Sequence, residues 1–104
     1  MALSLDERLR SAVAALLHAT GESQADLAAA LGVSQAQVSR RQSGAAAWSV
    51  ADCDLVAAHY GIDVLELLAG PTQATESLPA QRRRPVGRSA PRTRRAAAQD
   101  GGNR

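Results

Sequence analysis

The chain has 104 residues, a single-domain length, with no Phe, one Trp and one Tyr, so a core must come from Leu, Val, Ile and Ala. That palette suits small helices packed closely and argues against a large ligand cavity, while a lone cysteine, Cys53, excludes an internal disulfide and a multi-cysteine zinc site. The net charge of +2 hides an asymmetry: residues 1–70 hold four arginines against eight acids, whereas residues 71–104 hold eight arginines against two acids.

Ser4 and Glu7 have the spacing of a capping box, in which each side chain satisfies the other residue's unpaired backbone N–H. Leu5, Leu9, Ala12, Val13, Leu16 and Leu17 then recur at three and four, which predicts an amphipathic helix ending at Gly21. Ser23 is placed to cap a second, short helix with Leu27, Ala28 and Leu31 facing inward and Gly32 closing it. Ser34 caps a third helix to about Gln42, with Gly44 as its stop. Ser49 and Asp52 begin a fourth, whose apolar set is Val50, Cys53, Val56, Ala57 and Tyr60, with Leu55 at its edge. Asp63 caps a fifth through Val64, Leu65, Leu67 and Leu68, ended by Gly70 and Pro71. Five helices without an alternating β pattern predict an all-α domain over residues 1–70.

From Pro71 the chain holds four prolines, scattered Gly and Ser and few apolar residues, so residues 71–104 are expected to be a disordered, basic tail. No stretch approaches the roughly 20 apolar residues of a membrane span, and MALSLDERLR lacks the apolar run of a signal peptide. A soluble, cytoplasmic protein is therefore expected. His18 and His59 each fall near a helix C-terminus, where a polar or cationic side chain is favourable, and neither has a partner spaced as a metal ligand. Trp48 and Tyr60 are expected in or at the edge of the core. Neither a catalytic Ser/His/Asp constellation nor a phosphate-cradling glycine loop is present, so no enzyme activity, cofactor or metal is expected.

Helices two and three, joined at Gly32, have the form of a DNA-reading helix-turn-helix. Val33 can pin the second of them after the turn and Val38 can anchor it, leaving Gln35, Gln37, Ser39 and Arg40 able to hydrogen-bond base edges. QADLAAALGVSQAQVSRRQSG, residues 24–44, resembles the phage repressor and Cro-type (XRE-like) helix-turn-helix regulators, whose usual pattern is Q-x-x-L-A-x-x-L-G-V-S-x-x-x-V-S-x-x-E-x-G. Gln24, Leu27, Ala28, Leu31, Gly32, Val33, Ser34, Val38, Ser39 and Gly44 match at the family spacing, and WSVADCDLVAAHYGIDVLELLAG looks like its fourth and fifth helices.

The resemblance implies a compact five-helix domain on a bacterial or phage-encoded chain that binds double-stranded DNA. Gln35, Ala36 and Arg40 match base-facing positions, with Gln37 and Ser39 beside them. Gln24 matches a phosphate-contacting glutamine, Ser34 is grouped with it, and Ser43 and Gly44 match a second phosphate-contacting region. Two residues depart from the pattern. Arg41 stands where the family commonly has an apolar or aromatic residue, and Gln42 where it has Glu. Arg41 is then expected to snorkel to the DNA backbone as a phosphate contact, with Trp48 supplying the missing apolar contact.

Three leucines in four positions, Leu65, Leu67 and Leu68, are more than one side of a short helix can hide, and analogy with repressors that pair there suggests a homodimer. In the tail, Arg82, Arg83, Arg84, Arg88, Arg92, Arg94 and Arg95 are candidates for sequence-independent phosphate contacts. The expected function is a sequence-specific DNA-binding transcriptional regulator, in the first instance a repressor. The alternative is an antitoxin-like or phage-encoded interaction module whose tail binds a protein partner.

Overall fold

The computed structural model describes residues 3–84. They form α1 (Leu5–Thr20), α2 (Gln24–Leu31), α3 (Gln35–Ser43), α4 (Val50–Tyr60), α5 (Val64–Leu68) and α6 (Pro71–Glu76), then a 3-10 turn at Ala80–Arg82. Among the described residues the protein is all-helical, as expected.

The first four helices begin with one device. Ser4, Ser23, Ser34 and Ser49 each accept from the backbone N–H three residues on, and Glu7, Asp26, Gln37 and Asp52 reach back to the serine N–H, at 2.8–3.1 Å. Two of the orphan donors at each N-terminus are thereby satisfied. Asp63 caps α5 through Leu65 N at 2.8 Å.

α1 is the element on which the others assemble, in contact with α3, α5 and α6, while α2 packs on α3 and α4. Leu9, Ala12, Val13 and Leu16 of α1 meet Leu27, Ala28, Val38, Val56, Ala57, Tyr60 and Leu67 in one apolar cluster. Trp48 and Tyr60 both belong to it. Each large side chain buried there contributes about 1.5–3 kcal/mol from the water it sheds.

Two apolar side chains assigned inward by periodicity face out: Leu5 is 58% exposed and Val50 84%. Each occupies the first position of its helix, where the neighbouring turn that would cover it has not begun.

The domain boundary also moves. Pro71 starts a helix instead of ending the fold, because its missing N–H is harmless at a first helical position. α6 lies along α1 and brings Ala74 and Leu78 into the core, so residues 71–84 belong to the folded body. Residues 85–104, with Arg88, Arg92, Arg94 and Arg95, lie outside the described residues.

Candidate nucleic-acid interface

The turn between α2 and α3 is set by Gly32 at φ 74°, in the left-handed region. Its N–H and that of Val33 return to the end of α2, at Ala29 O (3.3 Å) and Ala28 O (3.0 Å). Val33 packs against the core and Val38 is fully buried, so α3 is held by one side. Gln35, Ala36, Gln37, Ser39 and Arg40 are exposed on the helix so held. The Gln37 carboxamide oxygen accepts from Ser34 N in the capping box, which leaves its NH2 group for another acceptor. Arg40 has no ion pair among the described residues. The exposed set thus combines amide, hydroxyl and guanidinium donors with hydroxyl and amide acceptors, the chemistry that base edges require.

The flanking positions differ from expectation at Arg41. Its Nε lies 3.2 Å from Asp52 Oδ2, and its guanidinium carbon lies 5.6 Å from the Trp48 ring centroid. The side chain is therefore engaged at the start of α4 and at Trp48. An apolar side chain would meet only the indole there; Arg41 meets both the indole and a capping carboxylate.

Gln42 shows why an amide serves where the resembling family has Glu. Its Nε2 donates to Arg10 O at 3.1 Å, and its Oε1 accepts from Trp48 Nε1 at 3.0 Å. A carboxylate could accept from the indole but could not donate to the α1 carbonyl.

At the other end of the surface, Gln24 is half-buried at the first position of α2, and Ser34 is exposed at the α3 N-cap. Ser43 and Gly44 are exposed where α3 ends, with the Ser43 hydroxyl donating to Arg40 O at 3.1 Å. Arg10, which no sequence pattern singled out, packs over this end. A Cβ added at Gly44 would meet its Nη1 at 3.1 Å. Arg10 also pairs with Asp6 at 2.9 Å, and its placement is visible only once α1 and α3 are packed together.

The first tail arginines divide. Arg82 lies in the body: Nη2 is 3.3 Å from Glu22 Oε2 and donates to His59 O at 3.1 Å, and the guanidinium carbon lies 5.4 Å from the Tyr60 ring centroid. His59 Nε2 is 3.0 Å from Glu22 Oε1, so Arg82 joins a cluster with both side chains. Burial pushes the Glu22 carboxyl up, but the hydrogen bond and charge of His59, with Tyr60 and Arg82 beside it, outweigh burial and hold it below the usual glutamate value. Arg83 and Arg84 are exposed, and Arg83 Nη2 donates to Thr75 O of α6 at 2.7 Å. Arg84 packs against Gly21, three residues before Gln24, and its backbone N–H donates to Ala19 O at 2.7 Å.

The leucine face is corrected too. Leu67 is fully buried in the core and Leu68 packs partly against it, leaving Leu65, at 71% exposed, as the one leucine of the three that faces out. Among the described residues no group of His, Cys, Asp and Glu could hold a metal, and no helix is long and apolar enough to cross a membrane.

A capped two-helix turn, buried on one side and polar on the other, defines a small helical domain of the DNA-binding type. The model of the BetR domain matches residues 2–97, and the chain belongs to that family. The match runs through Pro71, in keeping with α6 as part of the fold. No curated protein and no solved structure matches the chain.

Proposed function

We propose that the protein is a sequence-specific double-stranded DNA-binding transcriptional regulator, a repressor of the Cro-like kind, acting as a homodimer. The reading rests on one observation: Gln35, Gln37, Ser39 and Arg40 are all exposed on a helix whose other side is anchored by Val38. In this reading α3 enters the major groove and α2 crosses the backbone, with Gln24, Ser34, Ser43 and Gly44 at phosphates. Arg10, at Gly44, and Arg84, at Gly21, add positive charge at the edges of that footprint.

Selection of bound sequences from a random duplex library tests the reading and reports the site, its symmetry and the half-site spacing together. A recovered palindrome with half-sites about one helical turn apart is the expected result. Failure to enrich any sequence over competitor DNA would remove the reading. Arg40→Ala is expected to relax preference at one base pair per half-site, at a cost of about 1–3 kcal/mol.

A further inference from the structure

The small-residue composition argues against a large ligand cavity, and the groove that opens between α1, α4 and α5 is a small apolar one of about 340 Å³. Leu5, Leu9, Trp48, Val50, Cys53 and Leu68 form most of its wall. The two outward-facing side chains that periodicity assigned to the core, Leu5 and Val50, are thus groove walls. Its size is at the lower end of small-molecule sites.

The charged residues that line it are both acids, Asp6 and Asp54. Asp6 already holds Arg10 at 2.9 Å, whereas Asp54 has neither an ion pair nor a side-chain hydrogen bond among the described residues. We propose that this groove binds a small apolar molecule with one cationic end, its hydrocarbon body against Trp48, Val50 and Leu68 and its ammonium at Asp54. A second copy of the chain is disfavoured as the occupant, because a two-fold pairing would bring the same carboxylates from both copies to one seam.

The site has a direct connection to α3. Trp48 forms part of the groove wall and donates its indole N–H to Gln42 in the last turn of α3, while Arg41 lies over its ring. An occupant that shifts the indole therefore acts on the group that ties α3 to α1.

Trp48 is the only tryptophan, so its fluorescence reports the groove without a label. The test is titration of the full chain with 4-phenylbutylamine and, in parallel, with its anionic counterpart 4-phenylbutyrate. The amine is expected to give a saturable change in Trp48 emission at a concentration about tenfold lower than the acid. Asp54→Asn is expected to erase that preference. Val50→Arg, at a position exposed enough to be tolerated by the fold, is expected to weaken the amine by about tenfold or more while leaving the helical circular dichroism unchanged. Equal affinity for amine and acid, a preference that survives Asp54→Asn, binding untouched by Val50→Arg, or no saturable change would each overturn the assignment. Sedimentation of the full chain and of Val50→Arg distinguishes a groove filled by a second copy: a dimer that Val50→Arg dissociates would also overturn the assignment. The measurement uses no DNA, so its failure leaves the reading of α3 untouched.

Discussion

Among the described residues, Glu22 and Gln42 hold the side-chain hydrogen bonds that span the most sequence, and each has a testable consequence. Gln42 must donate to one partner and accept from another, so Gln42→Glu keeps the indole contact but sets a carboxylate against the Arg10 carbonyl. The expected cost is about 1–3 kcal/mol, read from the urea midpoint. Glu22 carries the acid sensitivity of the α2–α4 junction. Its folded carboxyl gives up its proton more readily than the ordinary value of 4.5, so the stabilisation is complete above that pH. It is lost as pH falls through the lower folded value, because protonation then favours the unfolded chain. Glu22→Gln is expected to lower stability near neutrality and to shallow the acid loss, measured as urea midpoints from about pH 7 down to about pH 3. Identical pH slopes for the two proteins would remove Glu22 from that role. Part of the slope persists, since Glu7 and Asp26 are also held low by the hydrogen bonds of their Ser4 and Ser23 caps.

At the scale of elements, serine caps and glycine stops divide the first 61 residues into four helices, and those signals are local enough to be read directly from residue order. α6 is different. PTQATE has no apolar periodicity, and only Ala74 of the helix and Leu78 beyond it reach the core. Its existence depends on α1 as a partner, since a six-residue helix is too short to be stable alone. Leu78→Ala is accordingly expected to cost about 2–5 kcal/mol, a core-sized effect from a residue that composition placed in a tail. A thermal melt shifted no more than that of an exposed leucine variant would return residues 71–84 to the tail.

For the whole molecule, charge is distributed so that affinity and specificity have separate sources. The body to residue 70 is acidic, and the exposed face of α3 carries one unpaired arginine, Arg40. In the proposed function, non-specific attraction must then come from arginines outside the helix-turn-helix. Arg83→Gln with Arg84→Gln is expected to weaken all DNA sequences alike and to flatten the slope of log affinity against log salt by roughly two. A loss confined to the preferred sequence would mean that these residues read bases. Arg82→Gln is expected to behave differently, lowering stability through Glu22 and His59 before it alters the salt slope.

The all-helical class, the four serine-capped helices, the α2–α3 turn and the exposed polar set on α3 were legible in residue order, because caps, turns and helical period act over three or four residues. Side chains that join distant elements were not legible. Arg41 meets Asp52 and Trp48, Gln42 meets Arg10, and Arg82 meets Glu22 and His59 only after the helices pack. The same packing buried Leu67, drew Pro71–Glu76 into the body and left Leu5 and Val50 as the walls of a groove. Periodicity says that a helix has an apolar side; which residues on that side find a neighbour is decided by the lengths and crossings of the other helices, and those exist only in three dimensions.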